Sequence, residues 1–153
     1  MAGKEDCVTF DPATMTAQHA QGRWTVASGP YVLFSFGLDK VEAENALAII
    51  KQYKMNQSCF VGRPKPLFHY MLAGGSSPMG PFKGEDCRSF DPATTTVQQV
   101  KDTWKIVDRN NVLFDFGADR AQAEQSLTII KKYGFTHSCM MARSRVDFLY
   151  LRK

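Results

Sequence analysis

The chain has 153 residues, 19 Lys and Arg against 15 Asp and Glu, a net charge of +4 and 44% hydrophobic residues. That is a globular composition, long enough for one ordinary domain or two small ones, and it excludes a disordered or fibrous chain. No apolar run approaches the roughly 20 residues of a membrane-spanning helix, and no basic helix face or aromatic–basic interleaving marks a nucleic-acid surface.

Read in chain order, residues 5–73 recur without a gap as residues 85–153, each position mapping onto its partner by adding 80, with 29 of 69 identical. The expected fold class is therefore α+β, a tandem duplication of a ββ(β)αββ module with antiparallel sheets, one helix per module and pseudo-twofold symmetry. Residues 5–73 form the first module, 74–84 a Gly/Ser/Pro-rich linker and 85–153 the second module. A lone copy would be marginal in size, so the two are expected to pack as one unit.

Within each copy, an Asp-Pro turn at Asp11 and Pro12 precedes a polar, β-compatible stretch over 14–20. Trp24 and Val26, like Trp104 and Ile106, alternate with polar residues as a half-buried strand does. A turn at Ser28, Gly29 and Pro30 predicts a hairpin into a strand over 32–36. Strict alternation there puts Val32, Phe34 and Phe36 on one face and Leu33 and Ser35 on the other. Gly37 and Gly117 end these strands, and Asp39 and Asp119 sit at N-cap positions with Glu42 and Gln122 three residues on. Ala43, Ala46, Leu47, Ile50 and Tyr53 follow at helical spacing. Gly134 suits a left-handed helix end, whereas Lys54, its counterpart, suits it less. Two closing strands are expected over 58–61 and 67–72, with counterparts at 138–141 and 148–151.

Four cysteines, Cys7, Cys59, Cys87 and Cys139, fall one pair per copy. Three connectivities exist, and duplication favours Cys7 with Cys59 and Cys87 with Cys139. Each bridge would contribute about 4 kcal/mol by loop entropy and would imply an oxidising, extracellular setting; free thiols would move the protein to the cytoplasm. The first residues contain no apolar stretch resembling a signal peptide, so either the protein stays where it is made or this is a mature form without its leader.

Retention in both copies also filters candidate sites. No histidine survives it: His19 faces Gln99, His69 faces Leu149, and His137 faces Gln57. No Cys-x-x-Cys, nucleophile elbow or phosphate loop is present, so no metal, cofactor or duplicated catalytic site is expected. The polar residues retained include Thr14, Thr16 and Gln18 with Thr94, Thr96 and Gln98, at period two on one strand, and Arg63 with Arg143. These eight are the candidate ligand-binding residues of a non-catalytic, bivalent, lectin-like protein whose partner is a carbohydrate or another polar ligand. Two alternatives remain open. One is a proteinase inhibitor presenting Arg63 or Arg143 on a basic loop; the other is a small enzyme with a single site between the modules that uses His137 or His69 with a carboxylate.

Overall fold

A computed structural model describes residues 5–61, 68–81, 85–140 and 149–153. Among them, twelve strands form four small antiparallel sheets, accompanied by two helices. In order these are β1 (Glu5–Thr9), a 3₁₀ turn (Pro12–Thr14), β2 (Thr16–Ala20), β3 (Arg23–Ser28), β4 (Tyr31–Ser35), α1 (Lys40–Tyr53), β5 (Gln57–Val61) and β6 (Phe68–Leu72). Then follow β7 (Asp86–Ser89), β8 (Thr95–Val100), β9 (Thr103–Asp108), β10 (Asn111–Asp115), α2 (Arg120–Tyr133), β11 (His137–Met140) and β12 (Tyr150–Arg152).

Two of the sheets are meanders, β2-β3-β4 and β8-β9-β10, each carrying its helix on one face. The other two, β1-β5-β6 and β7-β11-β12, join the segment before each meander to the segments after each helix. Cys7 stands opposite Cys59 and Cys87 opposite Cys139 in those ladders, and both pairs are disulfide-bonded.

Strand β1 and its counterpart β7 are additions to the sequence reading. Neither has an alternating pattern, since Glu-Asp-Cys-Val-Thr and Asp-Cys-Arg-Ser are polar edge segments whose partners lie some fifty residues away. The stretch expected as one strand over 14–20 also divides. The Asp11 carboxylate accepts the Ala13 N–H at 2.9 Å and the Asp11 carbonyl accepts the Thr14 hydroxyl at 3.0 Å, so residues through Thr14 wind into the turn and the strand starts at Thr16.

Strict alternation fails in the strand before the helix. The β3–β4 register slips, Val26 pairing with Phe34 and Ala27 with Val32, so Leu33 is an extra residue. A bulge of this kind re-aims the side chains before it. Val32 is consequently 52% exposed, while Leu33 joins Phe34 against the core. The same slip between Val112 and Phe114 exposes Val112 and turns Leu113 inward.

Both helices begin as expected, with Asp39 and Asp119 carboxylates accepting the Glu42 and Gln122 N–H groups at 3.0 Å. Both end left-handed, Gly134 at φ 66° and Lys54 at φ 54°. Lys54 adopts the backbone its side chain disfavours because the left-handed turn brings the next N–H, that of Met55, back to the Ile50 carbonyl at 3.0 Å, as Phe135 does to Ile130 at 3.1 Å.

The cores cross between the repeats. Around α1, Met15, Val26, Phe36, Ile49 and Ile50 are joined by Cys139 and Tyr150 from the second repeat. Around α2, Ile106, Phe116, Ile129 and Phe135 are joined by Val61, Phe68, Tyr70 and Leu72 from the first. Burying large apolar side chains of this kind stabilises by about 1.5–3 kcal/mol each, so each helix draws part of its cover from the other repeat's closing strands.

Candidate functional site

The face of the β2-β3-β4 meander turned away from α1 carries the candidate ligand-binding residues. Alternation sends Met15, Trp24 and Val26 toward the helix, leaving Thr16, Gln18 and Ala20 of β2 beside Arg23, Thr25 and Ala27 of β3 on the outer side. The Gln21–Gly22 turn, with positive φ at both residues, folds β3 back so that Ala20 pairs with Arg23 and Gln18 with Thr25. Thr25 in turn pairs with Ser35, so Gln18, Thr25 and Ser35 form one polar row across three strands. A groove of about 530 Å³ lies over it, lined by Gln18, Arg23, Thr25, Val32 and Ser35 among others.

The row is pre-ordered. Gln18 Nε2 donates to Thr16 Oγ1 at 3.0 Å, Thr16 Oγ1 lies 3.4 Å from the Ala27 carbonyl, and Thr25 Oγ1 lies 3.4 Å from the Gln18 carbonyl. Thr16 and Gln18 are thus brought together. Thr14 is not on this strand; its hydroxyl accepts from Ser28 Oγ at 2.9 Å at the flank of the sheet. Among the described residues Arg23 has no ion-pair partner.

The corresponding face of β8-β9-β10 differs in the same row. Gln98 Nε2 donates to Thr96 Oγ1 at 3.1 Å, as in the first repeat. Across from it, however, Lys105 and Asp115 replace Thr25 and Ser35, and Lys105 Nζ reaches Asp115 Oδ2 at 2.6 Å. The Lys105 side chain is only 18% exposed. Its hydrogen bond, with the Gly117 N–H, holds the Asp115 carboxyl below the usual carboxylate range. Thr94 again lies on the turn, bonded to the Asp91 carbonyl and closely to the Asp108 carboxylate. That bond and the Asp91 N–H lower the Asp108 carboxyl in turn. Thr103 stands where the first repeat has Arg23.

Arg63 and Arg143 lie outside the described residues. Trp24 and Trp104 are half-buried against the cores and are covered by cations, Lys40 Nζ at 5.2 Å and the Arg120 guanidinium at 4.7 Å from the ring centres.

A second polar constellation sits between the repeats. The Glu85 carboxylate accepts from Tyr53 at 3.0 Å, from Tyr150 at 2.5 Å and from Arg152 Nε at 2.9 Å, with Arg152 Nη2 at 2.7 Å. The Glu85 and Arg152 side chains are 4% and 9% exposed. Burial, then the Glu85 carboxylate, pushes both tyrosine hydroxyls well above their ordinary value. Gly80 is pressed against the Arg152 side chain, where any Cβ would collide with it, and donates its N–H to the Lys153 carbonyl at 3.1 Å. Next to the pair, His137 is held below its ordinary value by burial and by Arg152.

This is the carboxylate–histidine neighbourhood that a unique site between the repeats would require. Among the described residues, Glu85, Tyr53, Tyr150 and Arg152 are hydrogen-bonded to one another. Glu85, Cys87 and Cys139 also converge within 4.8 Å, but the two sulfurs are joined to each other and offer no thiolate to a metal. His19 lies on the surface 4.9 Å from the Trp24 ring, and His69 is exposed beside Phe60.

Retention in both repeats selected Thr16 and Gln18 but missed Arg23, Thr25 and Ser35, because those three differ between the repeats. The signal that could have found them was the pairing register, which sets Thr25 and Ser35 beside Gln18.

The structure defines a disulfide-bridged mixed α/β protein with two polar meander faces. No helix among the described residues is long and apolar enough to cross a membrane. Comparison with known proteins finds no matching family model, curated protein or solved structure.

Proposed function

We propose that this chain is a duplicated, non-catalytic binding protein that holds a hydroxyl-rich ligand of the carbohydrate class on the outer face of a meander sheet. The observation that carries the reading is the groove over Gln18, Thr25 and Ser35. It offers amide and hydroxyl groups in a fixed row, with Val32 as an apolar edge. Polar groups that fix orientation beside apolar surface are what a small polar ligand needs. The row rests on a rigid three-stranded sheet bonded within itself, which limits the ordering cost of binding. The two disulfides are compatible with an extracellular location, where such ligands are displayed.

A glycan-array screen of the oxidised, full chain tests this, followed by calorimetry on any sugar retained. Gln18→Ala combined with Ser35→Ala is expected to abolish binding while leaving the melting temperature within about 2 °C, since both sites lie on the solvent side of the sheet. A blank array, or binding that survives the double substitution, would overturn the assignment.

A further inference from the structure

Building on that reading, we infer that the two meander faces are not equivalent: only the first is a ligand site, and Arg23 makes it select an anionic, hydroxyl-rich ligand such as a uronic-acid sugar. Three observations converge on this. The groove is lined by one cation, Arg23, beside the neutral Gln18, Thr25 and Ser35. Among the described residues that guanidinium is unpaired, and its planar fork matches a carboxylate bidentately. The second face differs at these positions: Thr103 replaces Arg23, Lys105 and Asp115 pair at 2.6 Å along the row that Thr25 and Ser35 occupy in the first, and its cations Lys101 and Arg109 stand at the turns, where the first repeat has Gln21 and Gly29.

Ligand entry on the second face would have to disrupt this ion pair, whereas Thr25 and Ser35 of the first face hold no such pair. The carboxylate of the bound sugar would lie at the Arg23 end of the groove, where β2 turns into β3. Its hydroxyls would lie along the row from Gln18 to Ser35, with its C–H surface against Val32.

The test uses ¹⁵N-labelled full chain with both disulfides intact, titrated with a glucuronic-acid disaccharide, with its carboxyl-reduced neutral counterpart and with inorganic sulfate. The acidic disaccharide is expected to shift amides of β2, β3 and β4 and leave those of β8, β9 and β10 in place, at one ligand per chain. The neutral counterpart should bind about tenfold more weakly, one charge-assisted contact being lost. Arg23→Gln should erase that difference, and raised salt should weaken only the acidic sugar. Sulfate alone should bind more weakly than the acidic disaccharide.

Equal affinity for the acidic and neutral sugars, equal shifts on both faces, or sulfate matching the disaccharide would each overturn the inference. The first two of these leave the carbohydrate reading standing. No shift with any sugar would overturn both. As a second check, Lys105→Thr with Asp115→Ser should raise the stoichiometry for the neutral disaccharide from one toward two; no change would refute the role given to that ion pair.

Discussion

Removing the charge of Glu85 should be among the most damaging single changes this chain can suffer. Glu85→Gln preserves shape and leaves an acceptor for Tyr53 and Tyr150, but it strips the counter-charge from an Arg152 side chain that is 9% exposed. Orphaning one partner of a buried ion pair costs about 3–5 kcal/mol. Against a total stability of roughly 5–15 kcal/mol for such a protein, that is a large fraction. At about 2–4 °C per kcal/mol for chains of this size, the melting temperature should fall by roughly 6–20 °C. Arg152→Leu alone should also be costly, since Glu85 then loses two short bonds. In the Glu85→Gln background the sign should reverse. Leu is the residue the first repeat carries at the matching position, Leu72, where it is buried. Without a carboxylate to neutralise, an apolar side chain there is better than a lone guanidinium. Urea denaturation of the wild type, both single variants and the double variant closes the cycle, and a coupling of about 2–3 kcal/mol is expected. Additive single effects, or a loss below about 1 kcal/mol for Glu85→Gln, would show that water screens the pair and that it does not tie the repeats together.

Three further outcomes follow from the same geometry. His137 is held below its ordinary value, so its neutral form is favoured in the folded state; stability from this residue is present above about pH 6.5 and is lost as pH falls through the folded value. His137→Gln, the residue of the first repeat at Gln57, should flatten the acid limb of a melting-temperature profile below about pH 6.5. Tyr53 and Tyr150 are raised, so their contribution is complete below about pH 10 and lost as pH climbs above it. Ultraviolet titration should accordingly find Tyr53 and Tyr150 ionising only as the protein unfolds in alkali. Lys54→Gly should stabilise by about 0.5–1 kcal/mol, because it relieves a left-handed non-glycine residue at φ 54° that Gly134 avoids in the second repeat. Thermal denaturation of the variant measures it, and an unchanged or lower melting temperature would refute the strain argument.

Where a structural feature is written in adjacent residues, the sequence is a sufficient guide. The helices were legible because caps at Asp39 and Asp119 and a 3.6-residue apolar period are local signals. The disulfide pairing was legible because duplication favours one of the three connectivities, the one the structure has. Strand β1 was not, since it is polar and is defined only by a ladder with β5 across fifty residues of chain. Nor was the exposure of Val32, which depends on one extra residue, Leu33, that no propensity announces. The Glu85 constellation was hidden for the same reason. Its donors Tyr53, Tyr150 and Arg152 are 32, 65 and 67 positions from Glu85 and meet only when the closing strands cross between the cores.

The two repeats agree at some positions and diverge at others. Positions that build the scaffold are held in common: the bridges, the caps at Asp39 and Asp119, the core residues Phe36 and Phe116, and the hydrogen-bonded pairs Gln18–Thr16 and Gln98–Thr96. Positions on the outer row diverge in charge: Arg23 against Thr103, Thr25 against Lys105, Ser35 against Asp115. Two identical binding surfaces would require these three positions to match, since they line the groove in the first repeat. Lys105 with Asp115 instead forms a self-contained pair needing no ligand, whereas Arg23 is left without a counter-charge among the described residues. An unpaired guanidinium beside a neutral hydroxyl row is free to pair with an anionic ligand, whereas the Lys105–Asp115 pair is already satisfied. On that physical ground we assign the proposed binding to the first meander, while the second repeat adds Cys139 and Tyr150 to the first repeat's core.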